Sequence, residues 1–244
     1  MSIGQYLLLF VSVLVGGLLA FYLKRCDRAS MQLVLSFSGA YVLGITVLHL
    51  LPHAFTGEPT TIGLWILGGF FIQLFLEQLS GGVEHGHIHP ENNASPGFAA
   101  SIMIGLCAHA FLEGMPLSHY HELGDLHTHD HNHGHQHYLV GIILHKLPAA
   151  FALVILLLLS GFRQSLVLIC LLVFAAMSPL GALVAEQLPI SDVWQRRLIA
   201  LVIGSFLHIS TTIIFESDRG HHRVSVRKLI AIVAGTLLAV FSVG

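Results

Sequence analysis

The stretch His109-Ala110-Phe111-Leu112-Glu113-Gly114 sets an imidazole and a carboxylate four residues apart inside an apolar run. On a helix those two side chains share a face, about one turn apart. Both carry metal-ligand atoms. Ionisable groups are costly in hydrocarbon, so such a pair within a membrane span marks a functional site. A second apolar run holds His145-Lys146-Leu147-Pro148. Imidazole and carboxylate together suit zinc or another divalent first-row ion. The expectation is that His109, Glu113 and His145 meet in the middle of a helix bundle and hold a divalent metal ion in transit.

The other intramembrane polar residues are weighed against that trio. Lys146 needs a carboxylate, carbonyls or water around its ammonium. It is expected to pair with Glu113 or to lie beside the metal as a fixed positive charge. Pro148 lacks an N–H, which frees the carbonyl of Leu144 and favours a kink near mid-membrane. His49 and His53 are a further pair at helical spacing, near Pro52, and read either as entrance ligands or as a wet interfacial pair. Glu77 faces an inner cavity or the headgroup zone. His208 lines the pathway or bonds a neighbouring helix. Ser178, before Pro179, is placed near the site.

The elements that must position these groups are read from hydropathy. The chain has 244 residues, 55% hydrophobic and 10% charged, with mean hydropathy +0.79. Soluble domains carry about 25% charged residues, so this is an all-α integral membrane protein. Runs of about 20 apolar residues match the bilayer core. They fall near 4–23, 32–53, 60–80, 97–118, 138–160, 164–187, 194–216 and 226–243, eight spans in one domain, 1–244. The first is read as a retained span, with Gly16-Gly17 as a close-packing point. The weakest boundary lies between the fifth and sixth spans, around Gly161, Arg163 and Gln164.

Loop charge sets the orientation. With the N-terminus outside, the inner loops hold Lys24, Arg25, Arg28, Arg163, Arg219, Arg223, Arg227 and Lys228, and the outer ones only Arg196 and Arg197. Both termini are therefore expected to be extracytoplasmic, in a multi-pass cell-membrane protein (the inner membrane, if bacterial). With 11 basic and 13 acidic residues the net charge is near zero, which argues against a nucleic-acid partner. Cys26, Cys107 and Cys170 show no paired spacing and no Cys-type zinc motif. Eleven of the eighteen histidines lie in the loops 81–96 and 119–137: His85, His87 and His89, then His119 and His121, then every second residue from His127 to His137. Such tracts read as metal-attracting by composition.

These features together resemble the ZIP family of divalent metal transporters over nearly the whole chain. The family's span-four motif, His-Asn-x-x-(Glu or Asp)-Gly, is matched by His109 to Gly114. Its span-five motif, often His-Glu-x-Pro-His-Glu, is matched in part by His145-Lys146-Leu147-Pro148-Ala149-Ala150, and His49-Leu50-Leu51-Pro52 is similar to its span-two ending. The resemblance implies an eight-helix bundle with outside termini, a His-rich loop after span three, a paired metal site from spans four and five, and a homodimer. Four positions depart from the family pattern: Ala110, Lys146, Ala149 and Ser178 stand where ligands of a second ion would be. The resemblance thus implies a mononuclear site of His109, Glu113 and His145, with the Lys146 ammonium in place of the second ion's charge. Losing the ligand at Ala149 leaves an open coordination position.

The function expected is transmembrane transport of Zn2+, or of Fe2+, Mn2+ or Cd2+, into the cytoplasm. A metal sensor or non-transporting homologue is the alternative, favoured by the missing second site. An intramembrane metal hydrolase is the third reading, since three ligands and an open position also suit catalytic zinc. Against it, the chain has no His-Glu-x-x-His helix.

Overall fold

A computed structural model describes residues 1–22, 28–55, 59–83, 95–118, 133–189, 191–215 and 225–243. Eight long helices are found among them. Helix α1 is Ile3–Tyr22; α2 is Arg28–Ile45, continued by a π-helical turn Thr46–Leu50 and the short segment Leu51–Ala54. Helix α3 is Pro59–Ser80, and α4 is Pro96–Gly114 with a 3-10 turn Met115–Ser118. Helix α5 is His133–Leu159, α6 Gln164–Gln187, α7 Asp192–Phe215 and α8 Val226–Val243. Seven of them, α1 to α7, are long and apolar enough to cross a membrane; α8 adds 18 residues of similar character. No strand occurs among the described residues. Helices satisfy most backbone groups within themselves, which is an architecture that hydrocarbon tolerates.

Sequence explains the helix ends. Ser95 caps α4, its hydroxyl accepting from the Phe98 N–H at 3.3 Å, and Pro96 follows in the first turn, where no N–H is missed. Between α5 and α6, Gly161 adopts φ +86°. The Phe162 N–H reaches the Leu157 carbonyl at 3.2 Å and the Gly161 N–H the Leu158 carbonyl at 3.1 Å. Those two bonds form a Schellman cap, which needs a left-handed residue that glycine supplies freely. The weakest boundary in the sequence is thus a sharp stop. At the other end, α5 begins at His133, five residues before the expected 138. Pro148 lies inside α5, which runs on through it.

The helices sort into two packed groups. Helices α1, α4, α5 and α6 pack together through α1–α5, α4–α6, α1–α6 and α5–α6; α2, α3, α7 and α8 through α3–α7, α2–α8 and α2–α7. The groups meet where α3 touches α4 and α2 touches α5. Two crossings are reciprocal glycine contacts. A Cβ on Gly114 would stand 2.2 Å from the Ser178 carbonyl oxygen, and one on Gly181 2.1 Å from that of Phe111, so α4 and α6 touch backbone to backbone. Gly69 and Gly204 do the same for α3 and α7, each 1.9 Å from the facing carbonyl. Small residues permit this approach, which drives packing where no hydrophobic effect acts between helices. Gly16 meets Leu147 of α5 in the same way, at 2.3 Å. The outward faces are apolar: on α3, Leu64, Leu67, Phe71 and Phe75 form an exposed stripe at helical spacing.

Candidate metal centre

The trio predicted from sequence lies at the contact of α4, α5 and α6. His109 and Glu113 are both buried on α4, with Nε2 and Oε2 2.9 Å apart. The i, i+4 spacing alone produces this approach. The His145 ring of α5 stands edge-on to that of His109, centroids 6.1 Å apart and planes at 89°. Lys146, on the same turn as His145, is only 1% exposed and sets its ammonium 2.8 Å from Oε1 of Glu113. Of the two expectations for Lys146, pairing with Glu113 is the one observed. The ammonium also lies 4.7 Å from the centre of the Phe174 ring of α6, a cation–π contact that offsets part of its desolvation.

Ser178 of α6 reaches the same carboxylate. Its hydroxyl is 2.9 Å from the Ala110 carbonyl and 3.3 Å from Glu113 Oε1. The Gly114–Gly181 crossing, one turn away, brings it there. Tyr138 of α5 donates its hydroxyl to the Glu113 carbonyl at 2.6 Å, satisfying one of the acceptors that the end of α4 leaves open. Each carboxylate oxygen of Glu113 therefore meets a nitrogen, one from His109 and one from Lys146. As they stand, no three His, Cys, Asp or Glu side chains among the described residues are grouped to hold a metal ion.

The other sequence candidates lie elsewhere. His208 of α7 pairs with Glu77 of α3, and the Phe70 ring stands edge-on to His208 at 4.8 Å. The rings of His49 and His53 meet at a 52° tilt beyond the end of α2, centroids 4.8 Å apart, with His53 Nδ1 2.8 Å from the His49 carbonyl oxygen. The π-helical turn Thr46–Leu50 carries His49. The histidine tracts at 85–89, 119–121 and 127–131 and Cys26 lie outside the described residues, as do the side chains at 133–137. Cys107 and Cys170 are free thiols.

Two participants escape a reading of the sequence. Gln73 of α3 is polar and buried, and Ser205 of α7 is half-buried; the Ser205 hydroxyl donates to Gln73 Oε1 at 2.9 Å and lies 3.2 Å from His109 Nδ1. A periodic signal was present: Gln73 precedes Glu77 by four residues, and Ser205 precedes His208 by three. A cavity of about 20 Å³ borders Gln73, Glu113 and Ser205, room for about one water molecule.

Residues 90–242 match the family model described as the ZIP zinc transporter. A zinc transporter, ZIP9, from Micropogonias undulatus is 28% identical over 213 residues, covering 79% of this chain and 67% of that protein.

Proposed function

The chain belongs to the ZIP zinc transporter family, and from that premise we propose that it carries zinc, or a related divalent first-row ion such as Fe2+, Mn2+ or Cd2+, inward across the cell membrane. Membership in a transporter family removes the hydrolase reading. The ion passes through a single-ion site of His109, Glu113 and His145. The whole chain acts as one eight-span domain with both termini outside, as the basic inner loops require. A homodimer is the assembly expected from the family resemblance.

The observation that carries the site assignment is the convergence on Glu113. Its oxygens, the His109 Nε2 and the neighbouring His145 ring are the donor types that zinc prefers. Lys146 stands at 2.8 Å on the other side of the carboxylate, where a second ion would otherwise add its charge. A divalent ion entering from the His109 side thus meets one carboxylate already partly neutralised. Few ligands and a competing ammonium favour release over retention, which transport needs. His49 and His53 serve as an outer entrance, Glu77 and His208 as an inner stretch of the pathway, and Ser178 steadies the carboxylate.

The test is zinc influx into proteoliposomes, wild type against Glu113→Ala. Influx that disappears in the variant supports a transporter with its site on α4. Zinc binding without flux in the wild type would turn the assignment towards a sensor.

A further inference from the structure

Ser205 Oγ has two neighbours of different kinds, Gln73 Oε1 at 2.9 Å and His109 Nδ1 at 3.2 Å. A hydroxyl has one proton to give, and the carbonyl oxygen of Gln73 has none. The proton between Ser205 and Gln73 is therefore the serine's own. That leaves the serine oxygen as an acceptor, and the Nδ1–H of His109 as its donor. With Nδ1 engaged by Ser205, Nε2 is the nitrogen left for Glu113, whose Oε2 is 2.9 Å away, or for a metal ion between them.

A histidine that ligates through one nitrogen is oriented by the hydrogen bond its other nitrogen makes. Here the bond comes from helices that do not carry the ligands. Gln73 and Ser205 belong to α3 and α7, whose backbones touch at Gly69 and Gly204. Gly69 is one turn from Gln73, and Gly204 adjoins Ser205. The two polar groups are thus mounted on a rigid crossing and presented to α4. Gln73 is almost fully buried, a cost that the Ser205 bond offsets.

We infer that Gln73 and Ser205 are positioning residues for the metal ligand His109: the chain Gln73–Ser205–His109 holds the imidazole ring in place and turns Nε2 towards Glu113. The inference rests on the reading of His109 as a ligand. Loss of a partner of this kind costs about 10–100-fold in metal affinity.

The experiment is zinc titration of the purified full-length protein by calorimetry, with thermal unfolding of each variant alongside. Ser205→Ala and Gln73→Met are each expected to weaken zinc binding about 10–100-fold; Ser205→Ala also lowers the unfolding temperature, since it takes a donor from the buried Gln73 amide, whereas Gln73→Met changes it little. The double variant is expected to be no weaker than the single ones, because both break one chain. Ser205→Thr, which keeps the hydroxyl, is expected to bind as the wild type does. Wild-type affinity in well-folded Ser205→Ala overturns the inference, and so does a Ser205→Thr protein as weak as Ser205→Ala. If Ser205→Ala does not fold, Gln73→Met decides, since it removes the acceptor and leaves the serine in place. His109→Ala separates the two levels: unaltered zinc binding in that variant sinks the site itself, whereas loss there with no effect at Ser205 sinks only the positioning chain.

Discussion

Two glycine-welded crossings, α4–α6 and α3–α7, each hold a glutamate beside a histidine, and they solve the same electrostatic problem differently. Glu113 is 1% exposed and faces two nitrogen groups, His109 from its own helix and Lys146 from α5. Glu77 retains 19% side-chain exposure and faces His208 from the neighbouring helix. The depth of burial accounts for the difference. A carboxylate taken fully out of water needs a permanent countercharge, and lysine supplies one that an imidazole supplies only when protonated. A partly exposed carboxylate keeps some of its solvation. Lys146 is therefore the countercharge that lets Glu113 stay buried in the bundle.

That contrast can be broken first at Lys146. Lys146→Ala strands Glu113 and should cost about 3–5 kcal/mol of stability, read as a large drop in unfolding temperature. The double variant Lys146→Met/Glu113→Gln removes both charges and should recover most of that loss, yet zinc flux should stay absent. Recovery of flux in the double variant would show that the carboxylate is not a ligand. His109→Ala should abolish saturable flux in a protein that still folds, which radiolabelled zinc uptake checks.

Next come the crossings. Gly114→Ala and Gly204→Ala each push a methyl group against a carbonyl oxygen, and should each cost about 1–3 kcal/mol by overpacking. Gly63, with open space around it, should tolerate alanine. Equal unfolding temperatures for all three variants would deny the welds their role. The smallest effect is expected at the partly exposed pair. Glu77→Gln keeps a polar side chain beside His208 and should cost less stability than Lys146→Ala, and slow flux without abolishing it. An effect as large as that at Lys146 would erase the distinction between the two crossings.

Much of this molecule is legible in one dimension. Apolar runs of membrane length placed the helices to within a few residues, and the i, i+4 spacing of His109 and Glu113 already required their contact, because both lie on one rigid helix. Gly16 announced a close approach by its type. The sequence leaves the partner of Lys146 open between two choices, and it points to Ser178 only through a family pattern and a nearby proline. Nothing in the sequence singles out Gln73 and Ser205, since a glutamine or serine in an apolar helix can be satisfied in many ways. The rotation and register of each helix against its neighbours decided these contacts. Both are set by the backbone crossings at Gly114–Gly181 and Gly69–Gly204, which join residues far apart in the chain. Local periodicity determines which face of a helix a side chain occupies; only the packed bundle determines which face it meets.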